Sequence, residues 1–233
     1  MARLRVMSSV AIRFAYEALA PGFERERGVE VVTDWVPTVE MMRRLGHANA
    51  GGEETDLVLM ASGNIEALIA QGVLEGATRR DVVRSGIGVA VRAGAALPDL
   101  SSVAALEAAL RDAPSVAYST GPSGVYLKAL FARLGWDALL AGRLREVQGV
   151  PVAELVARGE VALGFQQVPE IVHVQGAVLA GPLPQEIQSV TTFAAALHVK
   201  AVAREEARAW VAYLRTPEAA RVMRENGLEG VVG

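Results

Sequence analysis

The chain contains no cysteine. Disulfides, thiolate metal sites and cysteine nucleophiles are therefore excluded together, while the redox compartment stays open. Histidine is nearly as scarce. His47, His173 and His198 stand far apart and none has a partner at metal-ligand spacing, so no metal site is expected. Aromatic residues make up only 5% of the sequence, too few to line the ring platforms that sugar clefts use. No apolar run approaches the ~18 residues that a membrane span requires. The start, Met1-Ala2-Arg3-Leu4-Arg5-Val6, runs straight into a strand-like segment without the apolar stretch and cleavage site of a secretory signal. An excess of charge of one sign is missing too: 23 basic side chains face 26 acidic ones, and the basic residues are scattered among the acids. That distribution argues against nucleic-acid binding.

What is present is a large apolar content, 52% of 233 residues. This is enough to bury a sizeable core and excludes disorder. The length suits a single α/β body or two small interleaved lobes.

Short β-type runs alternate with longer helical patterns, the signature of a parallel sheet with crossover helices. A strand at 4–7 leads into a helix with Ile12, Ala15, Tyr16 and Leu19 on one face, which Pro21 bends or interrupts and Gly28 stops. A second strand covers Val29 to Val32 and Trp35, and Pro37-Thr38 opens a second helix that ends in a loop at Ala50-Gly51-Gly52. Asp56 to Met60 is a third, nearly continuous apolar strand. A second α/β set follows between two long β-type runs at 85–92 and 191–199, with Gln166-Gln167-Val168-Pro169-Glu170 read as a loop, and two helices close the chain. The two long runs are expected to cross between two lobes as a hinge. Residues 1–84 with 191–233 would form lobe one, and 85–190 lobe two. The ligand site of such an open α/β arrangement is expected at the carboxyl ends of the strands, in the cleft between the lobes.

Five strand-to-helix turns are built of small, hydroxylated or Pro/Gly residues: Ser8-Ser9-Val10, Pro37-Thr38, Ala61-Ser62-Gly63, Gly121-Pro122-Ser123-Gly124 and Gly149-Val150-Pro151. Hydroxyls, free N–H groups and the positive ends of helix dipoles together suit an anion that needs no formal counter-charge. None of the five carries Trp, Tyr or Asp, so small anions rank above sugars and free amines.

The whole chain resembles the periplasmic molybdate-binding protein family of ABC-transporter solute-binding proteins. The resemblance rests on Phe23-Glu24-Arg25-Glu26-Arg27-Gly28-Val29-Glu30-Val31, on Gly124-Val125-Tyr126 with Leu134-Gly135, and on Leu155 to Glu160 with Leu163-Gly164. It implies a two-lobed type II periplasmic-binding-protein fold, each lobe a mainly parallel sheet flanked by helices. Carried over by position, it implies ligand donors at Ser8 and Ser9, with the usual serine falling near Ala11. Thr38 stands in place of a serine, Ser123 and Gly124 match the small-residue turn, Val150 or Val152 lies near the next amide, and Gln167 falls where that family has a tyrosine. With Ser62 these make the candidate binding set. The lost hydroxyls weaken the match to molybdate, and the expected ligand is a molybdate- or tungstate-like oxyanion or a small carboxylate. A carboxylate ligand would favour a bidentate guanidinium, and Arg84, beside the small Ser85-Gly86, is a better candidate than Arg13.

The same branch includes isomerases of small unsaturated tricarboxylates. That alternative needs a general base, for which Glu40 and Glu170 are the carboxylates nearest the turns in sequence. No phosphate loop, dinucleotide fingerprint or other catalytic motif is present, and Gly86-Ile87-Gly88 reads as backbone clearance within a strand. The expectation is a monomer that binds a small anion without a cofactor and, if exported, hands it to an ABC-transporter permease. The resemblance implies a periplasmic location. The missing signal leaves cytoplasmic as the alternative.

Overall fold

A computed structural model describes residues 2–46 and 54–233; His47 and the loop expected at Ala50-Gly51-Gly52 lie outside them. The chain forms two compact units, Met1–Arg84 with Thr192–Gly233, and Ser85–Thr191.

The first unit opens with β1 (Ala2–Ser8), which passes through a 3-10 turn at Val10–Ile12 into α1 (Arg13–Arg27). Pro21 does not interrupt α1. It lies on the exposed side, where one lost N–H bond is outweighed by the burial of Tyr16, Leu19 and Phe23 on the other. Gly28 ends the helix in the left-handed conformation (φ 64°), its N–H donating to Glu24 O. There follow β2 (Val29–Trp35), α2 (Thr38–Gly46), β3 (Leu57–Ala61), α3 (Ser62–Ala70) and the start of β4 (Arg80–Arg92). β1 pairs in parallel with both β2 and β3, and β3 pairs antiparallel with β9 (Val190–Leu197). After β9 come α9 (Arg204–Leu214), α10 (Pro217–Glu225) and β10 (Glu229–Gly230), a two-residue strand antiparallel to β4 that the sequence pattern does not show.

Both faces of this sheet are covered, which explains the nearly unbroken apolar run of β3. On one face Leu4, Val6, Leu57 and Leu59 pack with α1, α9 and α10, where Tyr16 and Phe23 approach Trp210 with ring centroids 4.8 and 4.9 Å apart. On the other, Met7, Val58 and Met60 pack with Met41 and Leu45 of α2 and Ile65 and Leu68 of α3.

The second unit contains the rest of β4, then α4 (Val103–Asp112), β5 (Val116–Ser119), α5 (Pro122–Leu134), α6 (Trp136–Leu139), β6 (Leu144–Val147), α7 (Val152–Ala157), β7 (Leu163–Gln167), α8 (Val168–Ile171) and β8 (Ala177–Pro182). β5 pairs in parallel with β6 and β7, and β4 pairs antiparallel with β7 and β8. The segment expected as a loop at 166–170 is the end of β7 and the helical turn α8. Gln166 and Gln167 are held in the strand by register with Gly88 and Ile87. A Cβ on Gly88 would stand 2.5 Å from Leu179, which fits the clearance read from Gly86-Ile87-Gly88. Phe131, Trp136 and Phe165 fill one side of this sheet, and Val152, Val156 and Ile171 the other.

Candidate functional site

Within the first unit the carboxyl ends of β1, β2 and β3 share one sheet edge, because the three strands are parallel. Ser8 is in register with Trp35 and Leu59, so Thr38 and Ser62 each follow three residues after a partner of Ser8. Ser8 is completely buried, and its hydroxyl has no hydrogen-bond partner. Ser9 is buried as well, but its hydroxyl accepts from Ala11 N (3.4 Å) and caps the 3-10 turn. Thr38 and Ser62, the first residues of α2 and α3, are half-buried, and the N-terminus of α3 has no side-chain cap. This edge therefore holds an orphaned hydroxyl beside uncapped amides, an arrangement that favours negative charge.

Within the second unit the same logic brings the ends of β5, β6 and β7 together. Ser123 is buried, with its hydroxyl 3.5 Å from that of Ser119, and α5 begins without a side-chain cap at Gly121. Gly124 is required by packing: a Cβ there would lie 1.4 Å from Ser119 O. Val150 is an exposed residue of the turn before α7. The amide of Ala153 is already occupied, since it donates to Gln166 Oε1 (3.1 Å).

Three of the expected residues already have partners within the protein. Arg84 pairs with Glu229 across β4 and β10 (3.0 Å), and its side chain is largely exposed. This partner lies 145 residues away in sequence. Glu40 is bonded to Arg43 within α2 (2.6 Å), and this contact holds its carboxyl below the ordinary range, the opposite of what a base near neutrality needs. Gln167 is buried and saturated. With its oxygen accepting from Thr191 Oγ1 (2.9 Å), its nitrogen donates to Ser85 Oγ (2.7 Å) and Gly86 O (3.2 Å). Arg13, the weaker arginine candidate, pairs with Glu17 one turn along α1.

Glu170 differs from Glu40. It is half-buried, with its carboxyl withdrawn from solvent at the start of α8. Burial raises its pKa to about 7, against smaller lowering contributions from the Gln166 side chain and the Gln167 backbone. Gln166 links it to α7, donating from Nε2 to Glu170 Oε1 (3.1 Å) while accepting from Ala153.

The sequence reading missed Asp56. Its carboxylate accepts from Arg5 N (3.0 Å), Val202 N (2.7 Å) and Ala203 N (3.0 Å), joining β1 to the segment before α9. An acid opening an otherwise apolar strand was the available signal. Among the described residues no cluster of His, Asp or Glu is arranged to hold a metal, and no helix is long and apolar enough to cross a membrane.

The mixed α/β fold of the two units, mostly parallel sheets flanked by helices, matches that of periplasmic binding proteins. The chain belongs to the bacterial extracellular solute-binding protein family, whose pattern it matches over residues 4–229. Aconitate isomerase from a Pseudomonas species is 36% identical over 230 residues, covering 98% of this chain and 88% of that protein. The molybdate-binding protein ModA of Escherichia coli is 22% identical over 97% of this chain and 88% of its own. Among solved structures, the periplasmic molybdate-binding protein of Azotobacter vinelandii has a TM-score of 0.78 at 18% identity, covering 99% of both chains. The tungstate ABC transporter protein of Geobacter sulfurreducens has a TM-score of 0.72 at 15% identity, covering 96% of this chain and 98% of that one.

Proposed function

We propose that the protein binds a small carboxylate anion through neutral donors such as those at the strand ends of the first unit, and serves as the solute-binding component of an ABC transporter. The observation that carries this reading is the Ser8 hydroxyl, fully buried and without a partner, at the edge where α3 begins uncapped. A buried hydroxyl left unpaired costs about 1–3 kcal/mol, and a ligand oxygen offsets that cost. Exposed apolar side chains flank the donors, Val10 and Val39 in the first unit and Val125 and Val150 in the second. The 36% identity to aconitate isomerase favours a carboxylate over a metal oxyanion. Calorimetric titration with cis- and trans-aconitate, citrate, molybdate, tungstate and sulfate tests this. Saturable binding of a carboxylate is expected, and binding of molybdate or tungstate alone overturns the choice of ligand class.

A second reading, isomerisation of an unsaturated tricarboxylate, is favoured by Glu170, whose pKa near neutrality suits a group that must both take and return a proton. In it Glu170 removes a proton from the methylene carbon and returns it to the far carbon of the allylic system. The amides and Ser123 stabilise the charge that develops on the substrate carboxylate. Interconversion of cis- and trans-aconitate, followed through the vinyl proton by NMR, decides between the readings. Turnover abolished by Glu170→Gln with binding retained supports the enzyme; binding without turnover in the unaltered protein leaves transport.

A further inference from the structure

We infer a second anion site in the first unit, distinct from the strand-end donors and suited to a small organic anion with a carboxylate or phosphate head and an apolar body. A cavity of about 350 Å³ opens beside α9, within the size range of small-ligand sites. One stripe of α9 and its C-terminal residue forms a wall. Arg208, Val211, Ala212 and Arg215 recur at spacings of three and four, which places them on one helix face. Leu197 adds to the apolar surface, and Arg80 contributes a third guanidinium.

The bonding state of the polar lining determines what the cavity can recognise. Thr78 is spent: its hydroxyl donates to Glu75 O (2.7 Å) and accepts from Leu197 N (3.0 Å). Glu75, the acid of the cavity, is ion-paired with Arg204 (2.6 Å), and that contact lowers its pKa. Arg80 is partly engaged, with Nη1 donating to Ala77 O and Arg79 O. The two arginines of the helix stripe are not spent. Arg208 exerts only a Coulombic pull on Glu75, and Arg215 Nε is buried without a hydrogen-bond partner. Gly233 lies directly against the Arg215 guanidinium, where even a Cβ would be 2.0 Å from Nη2, so this side chain is confined. The remaining hydrogen-bonding capacity of the cavity is thus cationic, on an apolar base. An oxyanion head meets the Arg208 guanidinium and the outer nitrogens of Arg215 with charge-assisted bonds, while its hydrocarbon part covers Leu197 and Val211.

The test uses hexanoate and phenyl phosphate as probes on the isotopically labelled protein. Saturable shifts are expected at the Arg215 Nε–H and at the amides of Thr78, Leu197 and Ala212. Inorganic phosphate, which lacks an apolar body, should bind at least tenfold more weakly, and Arg208→Ala should raise the dissociation constant for both probes at least tenfold. Arg215→Lys keeps the charge but loses the planar fork, and should weaken binding similarly while preserving the fold. Absence of saturable shifts at these positions, shifts at Ser8 and Ser62 instead, or affinities unchanged by Arg208→Ala would each overturn the inference. Because none of these residues belongs to the strand-end donors, failure here leaves the proposed function standing, and loss of aconitate binding leaves this site standing.

Discussion

Replacing Glu170 by Gln isolates one buried titration. In the folded protein, withdrawal from solvent raises the Glu170 pKa from an ordinary value of 4.5 to about 7. Below pH 4.5 both folded and unfolded chains hold the proton, and the residue contributes nothing to the pH dependence. Between pH 4.5 and about 7 the unfolded chain has released a proton that the folded chain still binds, so stability falls as pH rises through this window and levels off above it. At 1.36 kcal/mol for each pH unit, the full window corresponds to roughly 3 kcal/mol. Gln keeps an oxygen to accept from Gln166 Nε2 and carries no charge at any pH. The ligand-free variant should therefore match the parent at pH 4.5 and exceed it by about 3 kcal/mol at pH 8, roughly 6–12 °C in Tm for a chain of this size. Urea unfolding at pH 4.5, 6 and 8, with thermal melts alongside, measures the difference. Parallel stability profiles for the two proteins would refute the burial argument, because a solvated Glu170 has no such window.

Ser8→Ala should leave stability unchanged or slightly higher, since the hydroxyl it removes is buried and unpaired, yet weaken anion binding at least tenfold by calorimetry. Arg84→Ala deletes an exposed pair with Glu229 and should cost no more than about 1 kcal/mol in urea unfolding while leaving anion affinity unaltered. Asp56→Ala strands three backbone N–H groups and should cost about 3–5 kcal/mol, with Asp56→Asn recovering part of the loss. Gly124→Ala drives a methyl group into Ser119 O and should lower the Tm severely or abolish recovery of folded protein, whereas Val125→Ala, on an exposed side chain of the same turn, should be nearly neutral.

Much of the fold could be read in sequence because its signals are local. The apolar run ending at Met60, the glycine after Arg27 and Thr216-Pro217-Glu218 at the start of α10 each carry their own explanation within a few residues. The misreadings share the opposite property. Gln166 and Gln167 are polar and precede a proline, yet pairing with β4 keeps them in a strand. Arg84 looks available until Glu229 is brought beside it by β10, a strand too short to leave a pattern. Glu40 pairs with Arg43, a partner legible three positions on at helical spacing. For the site, the residue types at the turns were legible, but which donors are already committed was not. That depends on partners such as Ala153 with Gln166 and Thr191 with Gln167.

The two sheet edges differ in how far their donors are already committed. At the first unit's edge, the Ser8 hydroxyl is unpaired and α3 begins without a side-chain cap, while Arg84 pairs with Glu229. On the proposed function, recognition there would rest on oriented neutral dipoles, which can stabilise an anion without the desolvation cost of a buried cation. At the second unit's edge, Gln167 and the Ala153 amide are consumed internally, leaving the start of α5 and the carboxyl of Glu170. A carboxyl that is still protonated near neutrality is itself a neutral donor, and once ionised it repels an anion. One edge is fixed in character and the other changes with pH, so a ligand that relies on Glu170 must bind more tightly on the acid side of about pH 7. The same group that would tune affinity in a transporter would exchange a proton in an isomerase, which is why a single scaffold accommodates both readings and why binding and turnover have to be measured on the same Glu170 variant.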